Sequence, residues 1–262
     1  MTPNFSRQAR KRAARELLRT AQVSPAAMTA LYILLLIALD LLDAVSDGAG
    51  VLSTFIALLA MLLGTVLGAG YTMYCMAVSR GERAEFLTLF DGFSLAGRII
   101  GLHLLTGILV GLWSLLFVIP GIVAFYRYRF APLYLYEHPD RGILEALRES
   151  CRLTRGFKAS LFTLDLSYIG WGLLAYLPSV VVNFIYYNRL ALNTFNGIPD
   201  PVVLPGVLGT VPAWGWVLIH GLWLLAAAPF FLPHYQCVEI SYYETAKGGD
   251  AARPDPDGLG GL

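Results

Sequence analysis

The chain alternates between long apolar stretches and shorter charged segments. Stretches without Asp, Glu, Lys or Arg cover Thr20 to Leu39, Gly48 to Ser79, Ile99 to Tyr126, Leu166 to Asn188 and Pro201 to Val238. Each reaches about the 20 residues that a helix needs to cross a bilayer. Because none alternates with a period of two, these stretches predict membrane-spanning α-helices rather than strands.

The placement of basic residues changes this count from five spans to six. With a cytoplasmic N-terminus, five spans would put the seven basic residues from Arg127 to Lys158 outside, against the positive-inside rule. Pro120 followed by Gly121 is a strong helix breaker inside the third stretch, so the chain can turn there. We therefore predict both termini in the cytoplasm and six spans, at about residues 26–45, 51–79, 99–118, 120–138, 159–186 and 213–243.

Polar segments flank and interrupt the predicted membrane domain, which covers residues 25–246. Residues 1–24 carry six basic residues beside a narrow apolar face of Phe5, Ala9, Ala13, Leu17 and Leu18, which indicates an amphipathic helix on anionic lipid headgroups. A nucleic-acid contact is the alternative, but a basic run beside a span is more typical of a topology anchor, so we expect no nucleic-acid partner.

A second amphipathic helix is predicted over residues 140–156, along the inner interface, with Leu144 and Leu147 toward the acyl chains. Residues 247–262 are rich in Gly, Asp and Pro and predict a disordered tail. The predicted fold class is thus all-α: a polytopic membrane helical bundle of six transmembrane helices with N-terminal and inter-span interfacial helices.

Composition excludes an ordinary soluble protein. Hydrophobic residues make up 56% of the 262 residues and charged residues only 14%. Soluble domains average about 25% charged residues, so too few charges remain here to solvate a globular exterior. The net charge of +1 adds little, because the distribution of charge rather than its sum sets membrane topology.

Five polar side chains inside the predicted spans form the candidate intramembrane site: Asp40, Arg127, Arg129, Asp165 and His220. An unpaired Arg in hydrocarbon costs about 2.5–3.5 kcal/mol on insertion scales, so both arginines should find anions. Counting depth along continuous helices pairs Arg127 with Asp40 and Arg129 with Asp165. Two fold-stabilising ion pairs and a substrate site both remain open, and His220 is either a satisfied buried histidine or a proton or ligand group.

Catalytic and cofactor signatures are missing from the sequence. It contains no phosphate-binding Gly-rich loop, no H-E-x-x-H, no G-x-S-x-G and no C-x-x-C. The three cysteines are scattered, so we expect no metal and no cofactor. Small residues at Ala60, Gly64, Gly68 and Thr72 share a face of the second span, which predicts close helix packing.

Several motifs resemble the bacterial membrane family known as domain of unknown function 975. They are S-R-Q-A-R-K-R-A-A-R-E-L-L near the N-terminus, F-D-G-F at Phe90 to Phe93, I-P-G-I at Ile119 to Ile122, Y-R-Y-R-F-A-P-L-Y-L-Y-E-H-P at Tyr126 to Pro139, and L-S-Y-I-G-W-G-L-L at Leu166 to Leu174. More distantly, the chain is similar to the membrane module of some glycerophosphodiester phosphodiesterases, without room for their catalytic domain. The resemblance implies a location in the bacterial inner (cell) membrane and an architecture without an activity.

We therefore expect a non-enzymatic accessory or assembly module that binds membrane lipids through anionic headgroups and meets a membrane-protein partner. The alternative is a transporter or channel-like protein for a small polar solute that uses the intramembrane charged residues. An intramembrane lipid-acting enzyme is the third class.

Overall fold

The computed structural model describes residues 7–46, 49–195 and 212–251. Within these residues the fold is all-α, as predicted, with no strand. The helices are α1 (Arg7–Thr20), α2 (Pro25–Ser46), α3 (Val51–Ser79), a 3-10 helix (Phe86–Leu95), α4 (Ala96–Leu116), α5 (Val118–Arg127), α6 (Ala131–Glu137), α7 (Ile143–Leu153), α8 (Lys158–Phe195) and α9 (Ala213–Ala251).

Five helical segments of the described chain are long and apolar enough to cross a membrane: α2, α3, the 3-10 helix together with α4, α8 and α9. Their sides expose large apolar residues such as Leu34, Phe55 and Leu173, which water would not solvate favourably. Length, hydropathy and exposed apolar surface together make this chain an integral membrane protein.

After α4 the chain reverses direction in a helical hairpin, and the helix that follows is broken into α5 and α6. The chain turns at Phe117, which is extended at φ −161° and ψ 151°, and Pro120 lies in the first turn of α5, where its missing N–H is tolerated. A Cβ on Gly121 would lie 2.9 Å from the Cα of Ser114, so α4 and α5 pack in close contact. The expected continuous span over 120–138 is instead two short helices, α5 and α6.

The ends of α3 and α6 meet α9 at one face of the molecule. Arg80, just after α3, contacts Glu137 of α6 at 3.1 Å and Glu244 of α9 at 2.5 Å, and Lys247 also pairs with Glu137. Burial lowers the pKa of Arg80, but the hydrogen bond and charge of Glu244 and the charge of Glu137 outweigh it, so this pKa is raised. Because α3 and α6 end together, α4 leads away from this face and α5 with α6 leads back.

Close backbone packing occurs at glycines other than the predicted ones. A Cβ on Gly70 of α3 would lie 1.9 Å from the carbonyl oxygen of Leu89 in the 3-10 helix. By contrast, a Cβ on Gly64 or Gly68 would make only ordinary contacts, at 3.5 and 3.4 Å, with side chains of α2. The face with Gly64 and Gly68 is therefore not closed by a neighbouring backbone.

Both amphipathic helices dock on protein. In α1, Ala14 is buried and Arg10 donates to the Ser241 carbonyl at 2.9 Å; of the expected apolar stripe, Leu18 packs on the core whereas Ala13 is exposed. In α7, Leu147 is buried against α4 and α6 rather than directed toward acyl chains, whereas Leu144 is 62% exposed.

The chain ends differ in part from the expected boundaries. Helix α9 continues to Ala251, so the first five residues of the expected disordered tail are helical. The remainder of that tail, and residues 1–6, 47–48 and 196–211, lie outside the described residues.

Candidate functional site: a charged cluster at the end of a membrane groove

Side chains from α7 and the residue after it stabilise the break between α5 and α6 through hydrogen bonds to its backbone. The hydroxyl of Ser150 accepts from the backbone N–H of Phe130 at 3.1 Å and donates to the carbonyl of Arg127 at 2.9 Å. The Thr154 hydroxyl shares its proton between the Ser150 carbonyl, at 2.7 Å, and the Arg127 carbonyl, at 3.2 Å. Backbone groups that a helix end leaves without partners are thereby satisfied, and Arg129 can turn into the bundle.

Arg129 joins two carboxylates from different helices. Its Nε lies 2.5 Å from Glu239 Oε1 on α9, and its Nη1 lies 3.4 Å from Asp165 Oδ2 on α8. The guanidinium also lies 5.2 Å from the ring centroid of Phe125, a cation–π distance. This arrangement ties the break to both long C-terminal helices.

Two tyrosines complete the charged cluster, defined here as Arg129, Asp165, Glu239, Tyr126 and Tyr235. Tyr126 donates to Asp165 Oδ2 at 2.8 Å, and Tyr235 donates to Asp165 Oδ1 at 2.6 Å. Arg129 donates to the Tyr235 hydroxyl. With both carboxylates ionised, the charged cluster holds one positive and two negative charges, a surplus of one negative charge in an apolar surrounding.

A groove of about 630 Å³ begins at this charged cluster. Arg129 and Glu239 line one end, and Gly64 and Gly68 line the wall formed by α3. Met61, also on the lining, is 62% exposed, so the groove is open to the surface of the bundle.

Polarity changes along the length of the groove. On α3 it extends from Met61 to Thr72, about 16 Å at 1.5 Å per residue. Glu239 is five residues before Glu244, which contacts Arg80, so the charged end lies roughly 8 Å inside the face where α3 and α6 end. Met61 is 19 residues before Arg80, and the apolar end is therefore about 28 Å from that face.

The part of the chain that matches a known protein family contains the same region. Residues 115–249 match the family described as "Protein of unknown function (DUF975)", which is more than half of the chain. The chain belongs to the DUF975 family. No curated protein and no solved structure matches it. All five residues of the charged cluster lie inside the part that matches the DUF975 family, whereas α2 and α3 precede it.

In this DUF975 protein the structure brings Arg129 and Asp165 together but separates Arg127 from Asp40. Arg127 is exposed, and its Nε lies 3.0 Å from Cys151 Sγ on α7. The expected pairing assumed one continuous helix over 120–138. Because the helix breaks after Arg127, this side chain lies beside α7 instead of beside α2.

Asp40 and His220 form a second, separate polar pair. Asp40 is exposed on α2 and is close enough to His220 on α9 for an electrostatic interaction. Within the described part of the chain, the buried Nδ1 of His220 has no hydrogen-bond partner, and its ring lies 5.9 Å from that of Tyr176. These two residues do not reach the charged cluster around Arg129.

Glu239 and Tyr235 do not stand out in the sequence, yet both belong to the charged cluster. Glu239 directly follows an apolar stretch and therefore resembles the polar boundary of a span. The signal that identifies them is their i, i+4 spacing, which places both side chains on one face of α9.

Proposed function

We propose that this DUF975 protein is a non-enzymatic membrane module that binds one phospholipid in the groove. The observation that carries the proposal is the gradient within the groove, from the charged cluster near one face to apolar walls toward the middle of the bundle. A phospholipid has the same gradient, with a polar headgroup at the interface and acyl chains inside.

The dimensions of the groove support a small amphiphile as the occupant. Its volume of about 630 Å³ falls within the roughly 300–1,000 Å³ typical of small-molecule sites. On the α3 wall, Gly64 and Gly68 meet only the ends of the Leu36 and Tyr32 side chains, so no neighbouring backbone closes the groove there.

We propose further that the chain crosses the bacterial cell membrane six times, with both termini in the cytoplasm. Support comes from Arg80, whose contacts with α6 and α9 bring the ends of α3 and α6 to one face beside α9. That face also carries α1, whose exposed Arg12, Arg15 and Arg19 favour the cytoplasmic side and anionic headgroups.

A non-enzymatic role fits the chemistry at the charged end of the groove. The side chains of the charged cluster bond to one another, and no serine or cysteine is among the described residues that line the groove. An accessory role also implies a membrane-protein partner, which co-purification in mild detergent would identify.

Native mass spectrometry of the purified protein tests lipid binding in the groove. Gly68→Leu should fill the groove and remove one retained phospholipid per chain. Gly107→Leu on α4 is the matched control, because a Cβ there meets nothing within 4 Å. Equal lipid retention by both variants would contradict the proposal. If instead a water-soluble solute stabilised the protein and Gly68→Leu removed this stabilisation, the result would favour a transporter.

A further inference from the structure

We infer that the groove selects phospholipids whose headgroup carries a primary ammonium, a deduction that rests on the proposed lipid-binding function. The reason is the charge balance of the groove. Arg129 is the one lysine or arginine among the described residues that line it, and this side chain already faces two carboxylates. A bound cation would therefore compensate a charge, whereas a bound anion would add to an existing surplus.

Glu239 is the carboxylate that faces the groove. It lines the groove, whereas Asp165 lies behind it and accepts from Tyr126 and Tyr235. Glu239 Oε1 lies 2.5 Å from Arg129 Nε, whereas Oε2 accepts a longer hydrogen bond, at 3.5 Å, from Arg129 Nη2. An ammonium donates strong hydrogen bonds to such a carboxylate oxygen.

The neighbouring side chains suit the rest of such a headgroup. Gln236 and Tyr136 also line the groove and offer an amide and a hydroxyl to a phosphate, whereas the Thr72 hydroxyl donates to the Gly68 carbonyl at 3.0 Å. His103, on the opposite side of the groove, has Nδ1 bonded to the Ile99 carbonyl at 2.9 Å, which directs its other ring nitrogen away from that backbone. A headgroup with both a phosphate and an ammonium is therefore accommodated by neutral donors and by Glu239, respectively.

The experiment reconstitutes the full chain in nanodiscs of equal parts phosphatidylethanolamine and phosphatidylglycerol and identifies the lipid retained after extraction. The wild-type protein should retain phosphatidylethanolamine and phosphatidylglycerol in a ratio of roughly ten to one, as expected for one additional buried charge contact. Glu239→Gln should lose this enrichment while it still retains lipid. Glu82→Gln, at an exposed position, is the matched control and should keep it.

Further measurements distinguish the ammonium inference from the lipid-binding proposal. Lipid retained without headgroup preference, but lost in Gly68→Leu, would overturn the ammonium inference and leave the lipid-binding proposal standing. If lipid retention does not depend on Gly68, both the ammonium inference and the lipid-binding proposal are wrong. Should Glu239→Gln fail to fold, the wild-type competition between the two lipids decides alone. If glycerophosphoethanolamine, which is water-soluble, displaced the lipid at equal concentration, the ligand would be a free amine and the lipid assignment would be wrong.

Discussion

Replacing Arg129 with methionine should destabilise this protein more than any other single change in the charged cluster. Methionine keeps most of the apolar stem but removes the positive charge that pairs with Glu239 and Asp165. The charged cluster then holds two uncompensated carboxylates inside a membrane bundle. Glu239→Gln, in contrast, leaves one arginine opposite one carboxylate.

The magnitudes follow from burial. The side chains of Arg129 and Glu239 are only 16% and 9% exposed, so losing one partner should cost about 3–5 kcal/mol, as for other buried pairs. Asp165 is 28% exposed and adds less, because solvent or headgroups screen it. For Glu239→Gln we expect the free energy of unfolding to fall by about 1–2 kcal/mol, because a neutral amide replaces the carboxylate and weakens its hydrogen bond.

The assay is reversible unfolding in mixed micelles with increasing SDS, followed by circular dichroism. The double variant with Arg129→Met and Glu239→Gln should be at least about 1 kcal/mol more stable than Arg129→Met. The reason is that it removes one of the two uncompensated carboxylates and leaves only Asp165. Arg141→Met is the control: its ion pair with Glu145 is 60% and 41% exposed and should be worth under about 0.5 kcal/mol. A cost below about 1 kcal/mol for Arg129→Met, or a double variant no more stable than that single one, would refute the reasoning.

Three further predictions address topology and packing. A cysteine at Glu149 in a cysteine-free background should react with an impermeant thiol reagent only after permeabilisation; labelling of intact cells would restore five crossings. Gly70→Ala should cost about 2–3 kcal/mol in the same unfolding assay, because its Cβ meets a backbone oxygen, while Gly64→Ala should cost nothing measurable; equal effects would contradict the packing. Arg10→Met should speed tryptic cleavage within α1 about tenfold through loss of its bonds to α9, whereas the exposed Arg12→Met should not; unchanged cleavage in Arg10→Met would argue against docking of α1.

Much of the architecture follows from periodicity and breakers alone. Long apolar stretches predicted the five membrane-length segments, and Pro120 with Gly121 predicted the turn after α4. These features are local, so the sequence displays them directly. The actual turn residue, Phe117, differs because a proline is well accommodated in the first turn of a helix.

The composition of the charged cluster depends on tertiary contacts that local patterns do not display. Depth counting brought together Arg129 and Asp165 even though Arg129 lies in the turn between α5 and α6, because its long side chain reaches Asp165 at 3.4 Å. It failed for Arg127 because a depth estimate assumes an unbroken helix. It also overlooked Glu239, since a carboxylate at the end of an apolar stretch is as consistent with a solvated boundary as with a buried partner.

The break between α5 and α6 accounts for both the failed pairing and the groove. In one continuous helix, residues two apart point about 200° from each other, so Arg127 and Arg129 could not both reach polar surroundings without two buried anions. Ending α5 at Arg127 leaves that side chain beside Cys151 on α7 and turns Arg129 toward α8 and α9. The hydroxyls of Ser150 and Thr154 supply the hydrogen bonds that the interrupted helix loses. The hydroxyls that α7 and the residue after it supply therefore support the backbone at the charged end of the groove.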